Sequence, residues 1–173
     1  MKKSIRSELS KYLKSLDRED LEKEVKTLYT KFKEVKQYYE MELSGDTSRV
    51  LSEYKERITK EYFPKRGFGQ ARSGVSRKVI NDFKKVSIIK KDVIELILHR
   101  VEMMISYTDS FGDMNESFYA TIVRSFDEAC QLVQEERLEA VFKKDCVRIM
   151  DAASSFGWGV YDGMRYAYEA YFE

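Results

Sequence analysis

"DVIELILHRVEMMISYTDSFG", residues 92–112, is the stretch on which the fold turns. Read as a helix, it has Val93, Ile94, Leu96, Ile97, Leu98, Val101, Met103, Met104 and Ile105 over most of its circumference. Glu95, His99, Glu102, Ser106 and Asp109 make one polar stripe. A helix that is apolar nearly all round belongs at the centre of a domain, with other helices wrapped around it. It is no membrane span, because its charges break the run well short of the ~20 apolar residues a span needs.

Outward from this stretch the periodicity stays helical. "SIRSELSKYLKSL" sets Ile5, Leu9, Tyr12 or Leu13, and Leu16 at helical spacing. "DREDLEKEVKTLYTKF" has Asp17 as N-cap, acidic residues in its first turn and a core stripe of Leu21, Val25, Leu28, Tyr29 and Phe32. "EVKQYYEMEL" either continues that helix or forms a short one ending at Ser44-Gly45. A further helix begins at Asp46 or Thr47 and turns Val50, Tyr54, Ile58 and Tyr62 or Phe63 inward. "VSRKVINDFKKV" then puts Val75, Val79, Phe83 and Val86 on one face. Beyond the central stretch, Asn115 caps "ESFYATIVRSFDEACQLVQEE". Residues 138–153 come next with Val141, Phe142, Cys146, Ile149 and Met150 inward, and "WGVYDGMRYAYEAYFE" closes the chain. No alternating strand pattern competes.

The expected fold class is therefore all-α: about eight or nine helices packed as antiparallel hairpins in a single domain, 1–173. Sub-units 1–63 and 75–173 would be joined by the loop 64–74. The last four helices form two hairpins of about 40 residues, the length of helical-repeat units, so a short solenoid and an irregular bundle both fit.

The joining loop is the least ordinary segment. "YFPKRGFGQARSG", residues 62–74, holds the only proline and three of the eight glycines. Pro64 stops the preceding helix, Gly67, Gly69 and Gly74 suit a turn, and Ser73 or Ser76 can cap the next helix. Around it, residues 60–91 carry ten Lys or Arg against two Asp or Glu, whereas residues 92–173 carry seven against sixteen. The net charge of +1 hides this segregation. Either the two regions neutralise each other across an internal interface, or Lys65, Arg66, Arg72, Arg77, Lys78, Lys84 and Lys85 form a basic surface for an anion or a partner.

Catalytic chemistry finds little support. "GFGQARSG" comes after a helix rather than a strand, so it is no dinucleotide fingerprint, and it lacks the Gly-Lys-Ser/Thr of a phosphate loop. His99, the only histidine, has Glu95 and Glu102 a turn away, a thin set for a metal or for acid–base work. Cys130 and Cys146 match no zinc or redox spacing. No catalytic residue, metal or cofactor is expected. In the last helix Trp158, Tyr161, Arg165, Tyr168 and Phe172 offer an aromatic face for a second copy or another protein, or else close the domain internally. With no secretory signal and no membrane span, the expected compartment is the cytoplasm.

The set "KYLKSL", "LYTKFKEVKQYYEMEL", "YFPKRGFGQARSGVSRKVINDFKK", "SYTDSFGDMNESFY" and "FGWGVYDGM" resembles a small bacterial family known only as a domain of unknown function. Its most specific parts are the proline–basic–glycine stretch and the turn Gly157-Trp158-Gly159. The resemblance implies a soluble, all-helical bacterial protein and brings no catalytic role. The expected function is a non-enzymatic binding or scaffold protein that engages a protein partner through the basic loop and helix. The alternative is a module for a phosphorylated ligand or nucleic acid at the same loop, though no nucleic-acid motif is present. An enzyme centred on His99 ranks third.

Overall fold

The computed structural model describes residues 4–172. Among them are nine helices and no strand: α1 (Ile5–Ser15), α2 (Arg18–Lys31), α3 (Lys33–Ser44), α4 (Ser48–Tyr62), α5 (Ser73–Val86), α6 (Lys90–Phe111), α7 (Glu116–Glu135), α8 (Glu139–Ala152) and α9 (Val160–Phe172). Local signals set several boundaries. The Asp17 carboxylate accepts from the Asp20 N–H, and the Asn115 side chain from the Phe118 N–H. Each satisfies a helix-start donor that would otherwise have no partner. Pro64 holds Phe63 out of helical geometry, so α4 stops at Tyr62.

The apolar run of α6 lies where its pattern demands. Ile94, Leu96, Ile97, Val101 and Met104 are fully buried, and α6 packs against α4, α5, α7 and α8. A solenoid repeat touches only its sequence neighbours. Here the principal contacts join helices one or two apart in the chain, with α9 beside α7 across α8, as stacked helical hairpins touch. The all-α fold is built around α6, and its contacts fit the short solenoid as well as the irregular bundle.

Three apolar stripes differ from the sequence reading. Leu21, Val25, Leu28, Tyr29 and Phe32 all remain exposed, and neither α1 nor α2 buries a residue. The reason is packing order: α2 lies against α3, and α3 in turn reaches the bundle through α5. Val75 and Val141 are also exposed rather than inward, each in the first turn of its helix. By contrast α4, N-terminal to the loop, is integral to the core beside α5 and α6.

The loop folds back on the end of α4. The Gln70 and Ala71 N–H groups both donate to the Glu61 carbonyl, at 3.0 and 3.2 Å. Tyr107 donates its hydroxyl to the Gly69 carbonyl at 3.0 Å. Gly67 supplies the left-handed turn at φ 74°. Gly69 is needed for a different reason, since a Cβ there would collide with the Tyr62 carbonyl. Gly74 already lies inside α5, and neither Ser73 nor Ser76 caps that helix; Arg72 occupies the N-cap position.

Candidate functional site

The first two turns of α5, the middle of α6 and the middle of α7 meet at a cleft of about 380 Å³. Ser73 and Arg77 come from α5, Arg100 from α6, and Thr121, Arg124, Ser125 and Glu128 from α7. Three guanidinium groups thus face one carboxylate.

Arg100 is the unusual member. It is 2% exposed and is the largest fully buried side chain among the described residues. Its Nε donates to Ser76 Oγ at 2.8 Å, one terminal nitrogen donates to Ser125 Oγ, and the other donates to the Ser73 carbonyl at 3.1 Å. All three acceptors are neutral oxygens. Ser76 donates its own proton to the Ser73 carbonyl at 3.1 Å, so at 2.9 Å the Tyr62 hydroxyl is the donor to Ser76. Burial pulls the Arg100 pKa below the usual arginine range. Most buried charges are paired; among the described residues this one bonds no carboxylate.

Arg77 and Lys84 both bind Glu128, Lys84 at 2.8 Å. Burial works against charge on Glu128, but these two cations outweigh it and hold its pKa below the ordinary glutamate value. Arg124 sits exposed at the mouth, with Nε on the Ala120 carbonyl at 3.3 Å and a terminal nitrogen on Thr121 Oγ1 at 3.2 Å.

Of the seven basic residues read from the sequence, only Arg77 lines this cleft. Arg72 is latched to Glu61: its backbone N–H and Nε reach Oε1 at 3.0 and 2.9 Å, and a terminal nitrogen reaches Oε2 at 3.1 Å. Hydrogen bonds from the Arg72 side chain lower the pKa of buried Glu61, against the opposing effect of burial. Lys85 pairs with Asp82 at 3.2 Å. Lys65, Arg66 and Lys78 are exposed and form no ion pair among the described residues.

The C-terminal aromatic set divides. Tyr168 is buried and stacks on half-buried Phe172, with ring centroids 4.6 Å apart. Tyr161 packs against the core, and Arg165 lies over the Tyr166 ring at 5.4 Å. Trp158 is exposed at φ 60°, just before α9.

His99, Glu95 and Glu102 line a second cleft, of about 330 Å³. Its carboxylates are already matched: Glu95 with Lys55 at 2.5 Å, and Glu102 with Arg148 at 2.6 Å. His99 Nε2 meets Thr59 Oγ1 at 2.9 Å, and burial lowers its pKa. No three His, Cys, Asp or Glu side chains among the described residues are arranged to hold a metal. The arginine cleft is the site with charge left over.

Arg100 and Arg124 escaped the sequence reading. Arg100 interrupts an otherwise apolar face one residue after His99, and that interruption was the available signal. Arg124 had none, because an arginine on an amphipathic helix reads as solvated surface.

A family model described as a family of unknown function (DUF6155) matches residues 3–171. No curated protein and no solved structure matches the chain. No helix of the described residues is long and apolar enough to cross a membrane.

Proposed function

The chain belongs to this family of unknown function, which lends no activity, and we propose from the site alone that it is a non-enzymatic protein binding a small phosphorylated or otherwise anionic ligand. The observation that carries this reading is Arg100, a buried guanidinium bonded only to neutral oxygens on the wall of a cleft that also holds Arg77 and Arg124. Arginine forks match the oxygen geometry of phosphate and carboxylate. The volume lies at the small end of the ligand-pocket range. Glu128 already shows that a carboxylate is a good partner for Arg77. Two free, buried thiols, Cys130 and Cys146, support placing this function in a reducing cytoplasm.

Calorimetric titration with inorganic phosphate, pyrophosphate, nucleotides and a mixed oligonucleotide, at two salt concentrations, tests it. The expected result is salt-sensitive binding of at least one compound, weakened at least tenfold by Arg124→Glu. That variant is exposed and leaves the core untouched. Absence of salt-sensitive binding across the panel overturns the reading.

A second reading rests on Phe68, 79% exposed in the basic loop beside Lys65 and Arg66. An exposed aromatic among cations is the composition of a protein-contact anchor. Proximity labelling in cells, with Phe68→Ser plus Arg66→Glu as the comparison, tests this scaffold role. A partner lost in the variant supports it; an unchanged set of labelled proteins ends it.

A further inference from the structure

A groove of about 760 Å³ runs between α2, α3 and the start of α4, floored by Val25, Tyr29, Tyr39, Leu43 and Val50. Beside it the N-terminal helices carry apolar seams that the described residues cover only in part on α2 and hardly at all at the start of α1. Ile5, Leu9 and Tyr12 on α1, and Leu21, Val25 and Leu28 on α2 with Phe32 just past its end, recur at alternating spacings of four and three. That is the seam of helices that pack on other helices. All seven are exposed, Ile5 by 83% and Leu9 by 52%. An 11-residue helix is marginal in water without a packed face.

We infer that the groove is filled by α1 of a second copy, reciprocally, in a two-fold dimer. Three observations select a second copy over another occupant. The same chain carries both halves of the contact, a groove and an apolar helix, as a self-complementary two-fold interface requires. The charges also match at the groove's α2 end: residues 4–15 carry three cations against one carboxylate, and residues 17–24, which lead into the groove, carry five carboxylates against two cations, while the groove's own Lys26 and Arg49 are balanced by Glu40 and Asp46. Crossing α1 of one copy over α2 of the other sets basic against acidic. Finally, the exposed apolar side chains of α1, α2 and α3 uncover on the order of 1,000 Å², against the ~800 Å² per partner of a stable interface. The inference stands apart from the anion cleft, which lies between α5, α6 and α7.

Light scattering on the full chain, across roughly a hundredfold concentration range, should give twice the 20.5 kDa chain mass. Leu9→Glu on the arm and Leu43→Arg on the groove should each give a monomer. Both side chains lie outside the core, so far-UV circular dichroism should keep the bundle helices. Trp158→Ser should remain a dimer. Mixing a Leu9→Cys chain with a Leu43→Cys chain under mild oxidation should give a covalent pair, the native Cys130 and Cys146 being buried. A wild type that is monomeric throughout overturns the inference, as does a dimer that survives both arm and groove variants. So does a dimer broken by Trp158→Ser, which places the contact on the C-terminal aromatics, or a monomer that binds phosphatidylglycerol vesicles through α1.

Discussion

Arg100 brings a positive charge into the core, yet each oxygen it bonds keeps another bond without it. Ser76 retains the Tyr62 hydroxyl and the Ser73 carbonyl, and Ser125 retains the Thr121 carbonyl at 2.7 Å. Replacing Arg100 by Met therefore leaves no oxygen stranded and removes a desolvation cost. The expected urea midpoint for Arg100→Met is unchanged or higher, with phosphate binding lost. If the residue were purely structural, the variant would lose about 1–3 kcal/mol and binding would fall only as the protein unfolds. His99 gives a separate pH signature. Burial, aided by Lys55, keeps its folded pKa below the unfolded value of 6.5 despite Glu102 and Glu95 nearby. Below that pH the unfolded chain takes up a proton that the folded chain refuses. Stability is thus complete above about pH 6.5 and declines as the pH falls toward the folded pKa. Urea midpoints at pH 7.5 and 5.5 should drop in the wild type and drop less in His99→Gln.

At the level of elements, the loop and its latch separate what could be read from what could not. Pro64 ending α4 and Gly67 turning the chain were legible, because each acts through its own backbone. Glu61 was not: it sits inside a helix, and no spacing rule ties it to Arg72. Glu61→Gln loses charge against Arg72 and weakens a buried acceptor of the Arg72 N–H, a cost of about 1–3 kcal/mol. Because the folded Glu61 pKa is depressed, the latch is present above the ordinary glutamate pKa and lost as pH falls through the folded one. Gly69→Ala should cost more, about 2–4 kcal/mol, since its Cβ meets backbone rather than a movable side chain. Limited proteolysis within 63–72 should accelerate in both variants. The stripe on α2 shows the opposite limit. Its periodicity was legible as one apolar face, but periodicity does not say whether that face covers its own core or another surface.

For the whole molecule, the segregated charge is resolved among the described residues at one point inside the fold, where Arg77 with Lys84 meets Glu128 across α5 and α7. Lys55 with Glu95 and Arg57 with Asp82 draw their cations from outside the basic segment. The all-α class and the central place of α6 were legible because hydrophobic patterning alone determines them. The cleft was not, because it joins residues 73 to 128 from three helices whose mutual packing no local pattern encodes. Within that cleft Glu128 is the one carboxylate facing three arginines, and it decides how much positive field an incoming anion meets. Glu128→Gln removes that charge while Arg77 and Lys84, both partly exposed, remain solvated, so folding loses less than about 1 kcal/mol. The field in the cleft rises, and phosphate affinity should increase by roughly tenfold at low salt, the gain shrinking as ionic strength rises. Parallel titrations of wild type and Glu128→Gln at two salt concentrations measure this. A weaker variant would mean instead that Glu128 holds Arg77 in its binding position, and that the anion depends on the pair rather than competing with it.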